Sequence, residues 1–303
     1  MFFRNLTLFR FPASIAESFE EIEERLAEHP LKPVGPLELA SSGFVSPLGR
    51  SEQTLAHRIG DAVLMSLGTE TRLLPGSVVN DALTAKLDHI RETEGRNPGG
   101  RERKRLKDEV LTDLLPRAFV RTGRGAGYVD LAGGWCVVDT SSRKSAEGFV
   151  TAIREALGSF PAVPLNAESS PRALMTAWID GEPLPEGFVL GDEVELRDPV
   201  DTGAIIKAKR QELTAEEVRE HLKCGKQVFQ VALVFEERIS FVLGEDLVIR
   251  KLKFLEAATE ALENTERDNQ RDEIDAVFAL MSGELRGLLA RLEGVFGISK
   301  AEA

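Results

Sequence analysis

Residues 95–119 have the sequence GRNPGGRERKRLKDEVLTDLLPRAF, which decides how the middle of the chain folds. The segment Arg96-Asn97-Pro98-Gly99-Gly100 is a strong turn signal, and Pro116 ends the helical pattern that follows it. Apolar residues recur at helical spacing on both sides of the turn, at Val79, Leu83, Leu87 and Ile90 before it and at Leu106, Val110, Leu111 and Leu114 after it. The pattern therefore predicts an αα-hairpin over residues 77–115.

Positive charge is concentrated around this hairpin, although the chain as a whole is acidic. The sequence has 38 Lys and Arg against 50 Asp and Glu, which gives a net charge of −12. Residues 86–124 hold eleven basic and seven acidic side chains, a balance of +4, so the remainder carries −16. Positive charge confined to one part of a negative body favours a protein that binds a polyanion at one surface and repels it elsewhere.

The sequence offers two candidate surfaces for phosphate contact, of which the basic hairpin is the first. Residues 101–107 hold five basic side chains and one acidic side chain, more positive charge than pairing within the helix can neutralise. An Arg105–Glu109 ion pair at i,i+4 spacing would suit the alternative, a solvated helix pair without a ligand. The candidate contacts in and after the hairpin are Arg101, Arg103, Lys104, Arg105, Lys107, Arg117 and Arg121.

The second candidate surface is a short basic strand. Residues 204–213 are predicted to be extended, which places alternate side chains on opposite faces. The candidate contacts here are Lys207, Lys209, Arg210 and Gln211. The alternative is an edge strand whose lysines prevent it from pairing with another chain.

Little in the sequence favours catalysis. Asp130 and Asp139, with Lys144 nearby, are the carboxylates best placed for a metal-dependent nuclease, but their spacing matches no compact ligand pattern. We expect both to satisfy turns instead. Cys136 and Cys224 lie far apart and outside any zinc motif, so no metal and no cofactor are expected. The sequence has no run of about 18 apolar residues, so no membrane span and no membrane partner are expected.

Several local patterns predict how the rest of the chain folds. Alternation and turn signals predict a β-hairpin over residues 128–139 and a three-stranded meander over residues 226–254. Residues 160–191 are rich in proline and are interpreted as a connecting region. The glycine-rich residues 121–127 are interpreted as a flexible hairpin or a flexible lead-in to a strand, because a phosphate-binding loop would need a helix after it. A capping box that begins at Thr214 predicts the start of another helix.

These elements predict an α+β chain with three units. We expect a central α+β domain formed by residues 1–75 and 120–165. A helical hairpin domain is expected over residues 76–119, and a C-terminal α+β domain over residues 166–303. The prolines between the first and the last unit suggest the boundary.

The chain resembles the RdgC family of bacterial recombination-associated proteins. The motifs that carry the resemblance are FRNL at 3–6, GFVSPLG at 43–49, LKDEVL at 106–111 running into LLPRAF at 114–119, AKRQELT at 208–214, RKLKF at 250–254 and MSGEL at 281–285. They follow one another in order from end to end, so the resemblance covers essentially the whole chain.

The resemblance implies an elongated, horseshoe-shaped subunit of antiparallel sheets and helices with a protruding basic αα-hairpin. Two such subunits would close into a ring-shaped homodimer around double-stranded DNA, without sequence preference. The family is expected to modulate recombination by limiting access of the RecA recombinase to DNA, in the cytoplasm on the nucleoid, without enzymatic activity. A net charge of −12 fits such a ring if its exterior is acidic and its lining basic.

The resemblance also implies roles for individual residues. By motif, Arg210 and Gln211 would lie at the DNA-facing surface, and Phe119 would lie at an apolar dimer contact between the two hairpin tips. The composition leaves an alternative open, an acidic inhibitor that binds the recombinase directly because its Glu-rich helices mimic the charge of DNA. Binding of DNA at low salt would separate the two hypotheses.

Overall fold

A computed structural model of the protein describes residues 2–200, 203–263 and 270–301. Within these ranges, twelve strands form one antiparallel sheet that carries helices on both faces. The mixed α+β fold is therefore confirmed. The closure of two subunits into a ring concerns a second copy of the chain, so it stays a prediction.

The strands are β1 (Leu6–Arg10), β2 (Ala40–Val45), β3 (Ala56–Ile59), β4 (Ala62–Leu73), β5 (Phe119–Asp130), β6 (Trp135–Asp139), β7 (Val163–Pro164), β8 (Phe188–Arg197), β9 (Ile205–Lys209), β10 (Gln227–Phe235), β11 (Ile239–Gly244) and β12 (Ile249–Phe254). The α-helices are α1 (Ile22–Ala27), α2 (Gly76–Glu94), α3 (Gly100–Leu114), α4 (Arg143–Leu157), α5 (Pro171–Asp180), α6 (Glu216–Lys223), α7 (Glu256–Glu263) and α8 (Gln270–Phe296). Short 3₁₀ turns lie at Ala13–Phe19 and Leu115–Arg117.

The order of strands across the sheet is β2-β4-β5-β6-β1-β12-β11-β10-β8-β9, with β3 also paired to β4 and β7 to β1. The two halves of this order meet at β1 and β12, where Leu6 lies opposite Ile249. The longest ladder joins β4 to β5, and its last pair is Leu73 with Phe119. The helical hairpin therefore grows from the end of the longest ladder in the sheet.

The middle strands of the first half bury side chains on both of their faces, because side chains alternate between these faces along each strand. On β5, Val129 faces α4 and packs in a cluster with Phe149. Its neighbour Tyr128 faces α8, where its ring lies 5.7 Å from that of Phe278. Helix α8 contributes Leu288 to the same cluster, which also contains Val231 and Leu243 of the second half, so one helix contributes to a core shared by both halves. None of the helices in the described ranges is long and apolar enough to cross a bilayer.

The predicted αα-hairpin is present as α2 and α3. Gly95 ends α2 in the left-handed conformation, with φ of 67°, which is the backbone that a glycine adopts without strain. The buried side chains of the pair include Val79, Leu87, Leu106 and Val110, and none of them belongs to either main cluster. The hairpin therefore packs mainly on itself, so most of its surface is left to solvent.

The interpretation of residues 160–191 as a connecting region is wrong. They contain α5, in which Met175, Trp178 and Ile179 are buried in the main core. Pro171 occupies the first turn of α5, where a missing N–H costs nothing, and Ser170 caps the helix by accepting a hydrogen bond from the backbone. Proline here marks the start of a helix, not a break in the structure.

Two further local predictions are corrected. Thr214 does not cap a helix, because α6 begins at Glu216 after Ala215, and the Thr214 hydroxyl donates to Glu212 at 2.8 Å. Residues 121–127 are not a flexible lead-in, since they form the first part of β5 in continuous register with β4. A Cβ on Gly127 would lie 2.7 Å from the ring of Phe149, so close packing of the helix requires this glycine.

Candidate nucleic-acid interface

Helix α3 presents the densest group of free cations in the described part of the chain. Arg101, Arg103, Lys104 and Lys107 are exposed, and the described residues place no carboxylate within ion-pair distance of any of them. At 3.6 residues per turn, Arg103, Lys104 and Lys107 fall within about 100° of one another around the helix axis. Arg105 is paired with Glu109 at 3.4 Å, as its spacing predicted.

Other cations of the hairpin hold its two helices together. Lys86 on α2 pairs with Asp113 on α3 at 3.1 Å. Arg96, in the turn, pairs with Glu94 at 2.6 Å and with Glu102 at 2.7 Å. The hydrogen bond to Glu102, followed by that to Glu94, raises the pKa of Arg96 above its ordinary value. The Arg96 pairs fix the turn and the Lys86–Asp113 pair joins the two helices, so the unpaired cations of α3 remain available to a ligand.

The base of the hairpin is anchored by Arg72 at the end of β4. Its guanidinium donates to the carbonyl oxygens of Leu115 at 2.8 Å, Ala118 at 3.4 Å and Gly35 at 3.2 Å. No sequence motif reveals Arg72, because its three acceptors are backbone groups. The anchor fixes the direction in which the hairpin leaves the sheet.

Phe119 lies at this base and not at the tip of the hairpin, which corrects the predicted placement. The turn at the tip lies between α2 and α3, whereas Phe119 is the first residue of β5. Its side chain is 84% exposed, and its ladder partner Leu73 is 45% exposed. Arg117 and Arg121 flank it, both exposed and without an ion pair within the described ranges. The surface around Phe119 is thus apolar at its centre and positive beside it.

The basic strand β9 is largely neutralised by its neighbour β8. Lys207 lies opposite Glu195 in the ladder and pairs with it at 2.8 Å, and Lys209 pairs with Glu193 at 3.5 Å. Burial works against ionisation of Glu195, but hydrogen bonds from Lys207 and Arg197 outweigh it and lower its pKa. Both predicted lysines therefore have carboxylate partners that a ligand would have to replace.

Arg210 and Gln211 follow β9 and are exposed. Arg210 has φ of 56°, in the left-handed region, and its N–H donates to the carbonyl of Asp192 at 2.7 Å. A non-glycine residue in this region is disfavoured unless its surroundings hold it. The turn is therefore fixed, and Arg210 has no carboxylate partner among the residues that the structure describes.

The two carboxylates considered for a nuclease have structural partners. Asp130 is buried and accepts hydrogen bonds from both Arg286 Nε and Nη2, at 3.0 and 2.9 Å. Asp139 accepts from the backbone N–H groups of Arg4 and Asn5, at 2.9 and 3.0 Å. The ladder separates the two by four residues, roughly 13 Å along a strand. They cannot share a metal ion, and no group of three or more metal-ligating side chains lies in the described ranges.

Two arginines that were not among the candidates lie close together on the central sheet. Arg50 is in the loop that follows β2, and Arg124 is on β5. Both border one cavity of about 760 Å³, and both are exposed. Because they are 74 positions apart, no local sequence pattern predicts that they lie close together. The one sequence feature that points to Arg50 is its position directly after the GFVSPLG motif.

Comparisons with known proteins agree over the whole chain. Residues 1–299 match a family model described as "Putative exonuclease, RdgC". A recombination-associated protein RdgC from Xanthomonas campestris pv. campestris is 56% identical over 304 residues, covering all of both chains. Proteins of the same description from Xanthomonas axonopodis pv. citri and Stenotrophomonas maltophilia are 55% and 53% identical over 303 residues, again with full coverage of both chains.

Proposed function

The chain belongs to the RdgC family, and from that premise we propose that it binds double-stranded DNA without sequence preference and modulates recombination. The observation that carries the proposal is the group of four exposed, unpaired cations on α3, in a chain with a net charge of −12. The family model's description names an exonuclease, whereas the relatives are named for recombination. Binding is proposed here, and DNA cleavage is a separate question.

The physical basis of binding is the release of counterions from DNA. Lys and Arg that contact phosphates displace condensed cations, and this contribution to affinity does not depend on base sequence. The cations of α3 stand on a hairpin that packs on itself, so a duplex can reach them without unfolding any part of the core. The acidic remainder repels DNA and confines it to this surface.

Two subunits would form a ring as a homodimer, with the exposed patch around Phe119 as one contact. A two-fold contact uses the same surface on both subunits, so an apolar centre beside exposed arginines has to meet its own copy. Phe119 supplies the apolar centre, and closing a ring requires a second contact elsewhere. Bound protein would then occlude DNA sterically and limit assembly of the RecA recombinase.

Titration of unrelated duplexes across a salt series tests the proposal. We expect similar affinities for all sequences and a steep negative slope of log K against log salt. Arg103→Gln with Lys104→Gln should make that slope shallower by about 0.9 for each DNA phosphate that these side chains neutralise in the parent. The control is Arg143→Gln with Lys144→Gln, which removes the same charges from the exposed start of α4. Absence of binding at low salt would contradict the proposal and favour the acidic inhibitor that binds recombinase directly.

Cleavage is tested separately by incubating linear duplex with the protein and Mg²⁺ or Mn²⁺. The partners of Asp130 and Asp139 lead us to expect intact DNA. Degradation that persists in the Asp139→Asn variant would place the nuclease centre away from Asp139. Degradation that this variant abolishes would restore the nuclease hypothesis for this carboxylate.

A further inference from the structure

The neighbouring arginines, Arg50 and Arg124, form a positively charged site that the hairpin and β9 do not explain. Neither side chain makes an ion pair or a side-chain hydrogen bond with another described residue. Arg124 lines the cavity of about 760 Å³ that it shares with Arg50, and it also lines an adjoining cavity of about 560 Å³ next to α8. Arg124 thus borders two open spaces.

The fold brings the two charges together through strand alternation and one loop. On β5, Arg124 is two residues before Ala126 and four before Tyr128, so it faces the same side of the sheet as these core residues. The loop after β2 crosses this side and places Gly49 beside both cavities and Arg50 beside the first. Partial desolvation lowers the pKa of Arg124, although its side chain is exposed, and the positive charge of Arg50 lowers it further. Two cations held together without a shared carboxylate are stabilised when an anion lies between them.

The walls of the shared cavity add neutral donors to the two cations. Ser46, Thr122 and Gln53, which carry neutral hydroxyl and amide groups, line it. Glu52 lines it as well and is the one acidic wall residue of this cavity in the described part of the chain. Glu52 is exposed and makes no ion pair with Arg50 or Arg124, so an anion would not have to break an existing pair. Guanidinium groups bind phosphate oxygens in bidentate geometry, which gives a phosphate more directed hydrogen bonds than a surface of lysines would.

We propose that Arg50 and Arg124 form a phosphate-binding site, and that its ligand is a backbone phosphate of DNA. The proposal rests on the proposed function and extends it, because it adds the central sheet to the DNA-binding surface. It also gives the GFVSPLG segment a role, since this segment positions the loop that carries Arg50.

Binding of inorganic pyrophosphate tests the anion site without DNA. A ligand that binds the folded state raises Tm in proportion to the logarithm of its concentration above Kd. We expect pyrophosphate to raise Tm of the parent and of the Arg143→Gln, Lys144→Gln control. The rise should be absent in Arg50→Gln with Arg124→Gln and enlarged in Glu52→Gln. Equal shifts in all four proteins, or no shift in the parent, would overturn the anion site.

Duplex titration across salt tests whether DNA supplies the phosphate. Replacing both arginines with glutamine should make the slope of log K against log salt shallower by about 0.9 for each phosphate that they neutralise, whereas the control should keep the parent slope. A slope equal to that of the control overturns the assignment to DNA while the proposed function stands. If the parent itself does not bind DNA, the proposed function and this assignment fail together, and the pyrophosphate result alone decides whether the anion site exists.

Discussion

Phe119 is 84% exposed although it is an aromatic side chain at the start of a strand. Single exposed apolar residues are common on protein surfaces, but here its ladder partner Leu73, on the same face of the sheet, is also 45% exposed. Exposed apolar side chains that adjoin one another are typical of interaction surfaces. The motif that contains Phe119 identified the residue, but the sequence could not show that its ladder partner is Leu73, since 45 residues of hairpin lie between them.

Phe119→Asp is expected to weaken dimerisation without lowering the stability of the subunit. The aspartate would be solvated in a free subunit and would be buried without a partner in an apolar contact, which is costly. Sedimentation velocity should show the dimer dissociating at higher concentrations than the parent, while the urea midpoint measured on dilute protein stays unchanged. Val189→Asp, at a site 55% exposed on β8, is the control. If both changes shift dimer dissociation equally, Phe119 does not lie in the dimer contact.

At the scale of elements, the sequence predicted structure where one local signal decides the outcome. The αα-hairpin, the β-hairpin at residues 128–139 and the meander at residues 226–254 are confirmed, because turn residues and apolar spacing agree in each. Helix α5 was missed because Pro171 lies in its first turn, where proline is compatible with a helix. The Ser170-Pro171 pair is itself a helix-start signal, but the four further prolines of residues 160–191 obscured it.

In the candidate site too, the sequence predicted the features that depend on local composition and not those that depend on contacts between elements. The free cations on α3 follow from composition, since residues 101–107 contain more basic groups than the helix can pair. The neutralisation of Lys207 by Glu195 depends on the register of β8 with β9. The sequence does not predict this register, because the two residues are twelve positions apart. The approach of Arg50 to Arg124 depends on the fold of the entire central sheet. Contacts between elements therefore set the charge of a surface that composition alone describes incorrectly.

The β8–β9 ladder should make stability depend on pH through Glu195. Its folded-state pKa is lowered, and the unfolded value is about 4.3. A lowered folded-state pKa contributes stability above the unfolded pKa that is lost as pH falls through the folded value. Glu195→Gln should therefore flatten the decline of the urea midpoint below about pH 4.3. Glu147→Gln, at an exposed position on α4, should keep the decline of the parent, and a parallel decline in both variants would contradict this role.

At the scale of the whole molecule, α8 connects the two halves of the sheet. The backbone junction between them is narrow, since β1 and β12 meet at Leu6 and Ile249. Helix α8 packs on strands of both halves and adds polar contacts to the first one, including Arg286 with Asp130 at 2.9 Å and Glu293 with Arg10 at 3.5 Å. The position of the basic hairpin relative to Arg210 therefore depends on this helix as much as on the sheet.

Asp130→Ala should loosen that connection. The change removes a buried acceptor that binds Arg286 through two hydrogen bonds and the N–H of Gly133 through a third, which we expect to cost about 1–3 kcal/mol. Urea unfolding gives the loss of stability, and hydrogen exchange should quicken in α8 and at the β1–β12 junction. Glu186→Ala is the matched control, because it breaks another arginine pair of α8, the 3.5 Å contact with Arg291, at an exposed site worth about 0–1 kcal/mol. Equal destabilisation of the two variants, or exchange that quickens only around Gly133, would mean that the Asp130–Arg286 pair secures a turn and not the join between the halves.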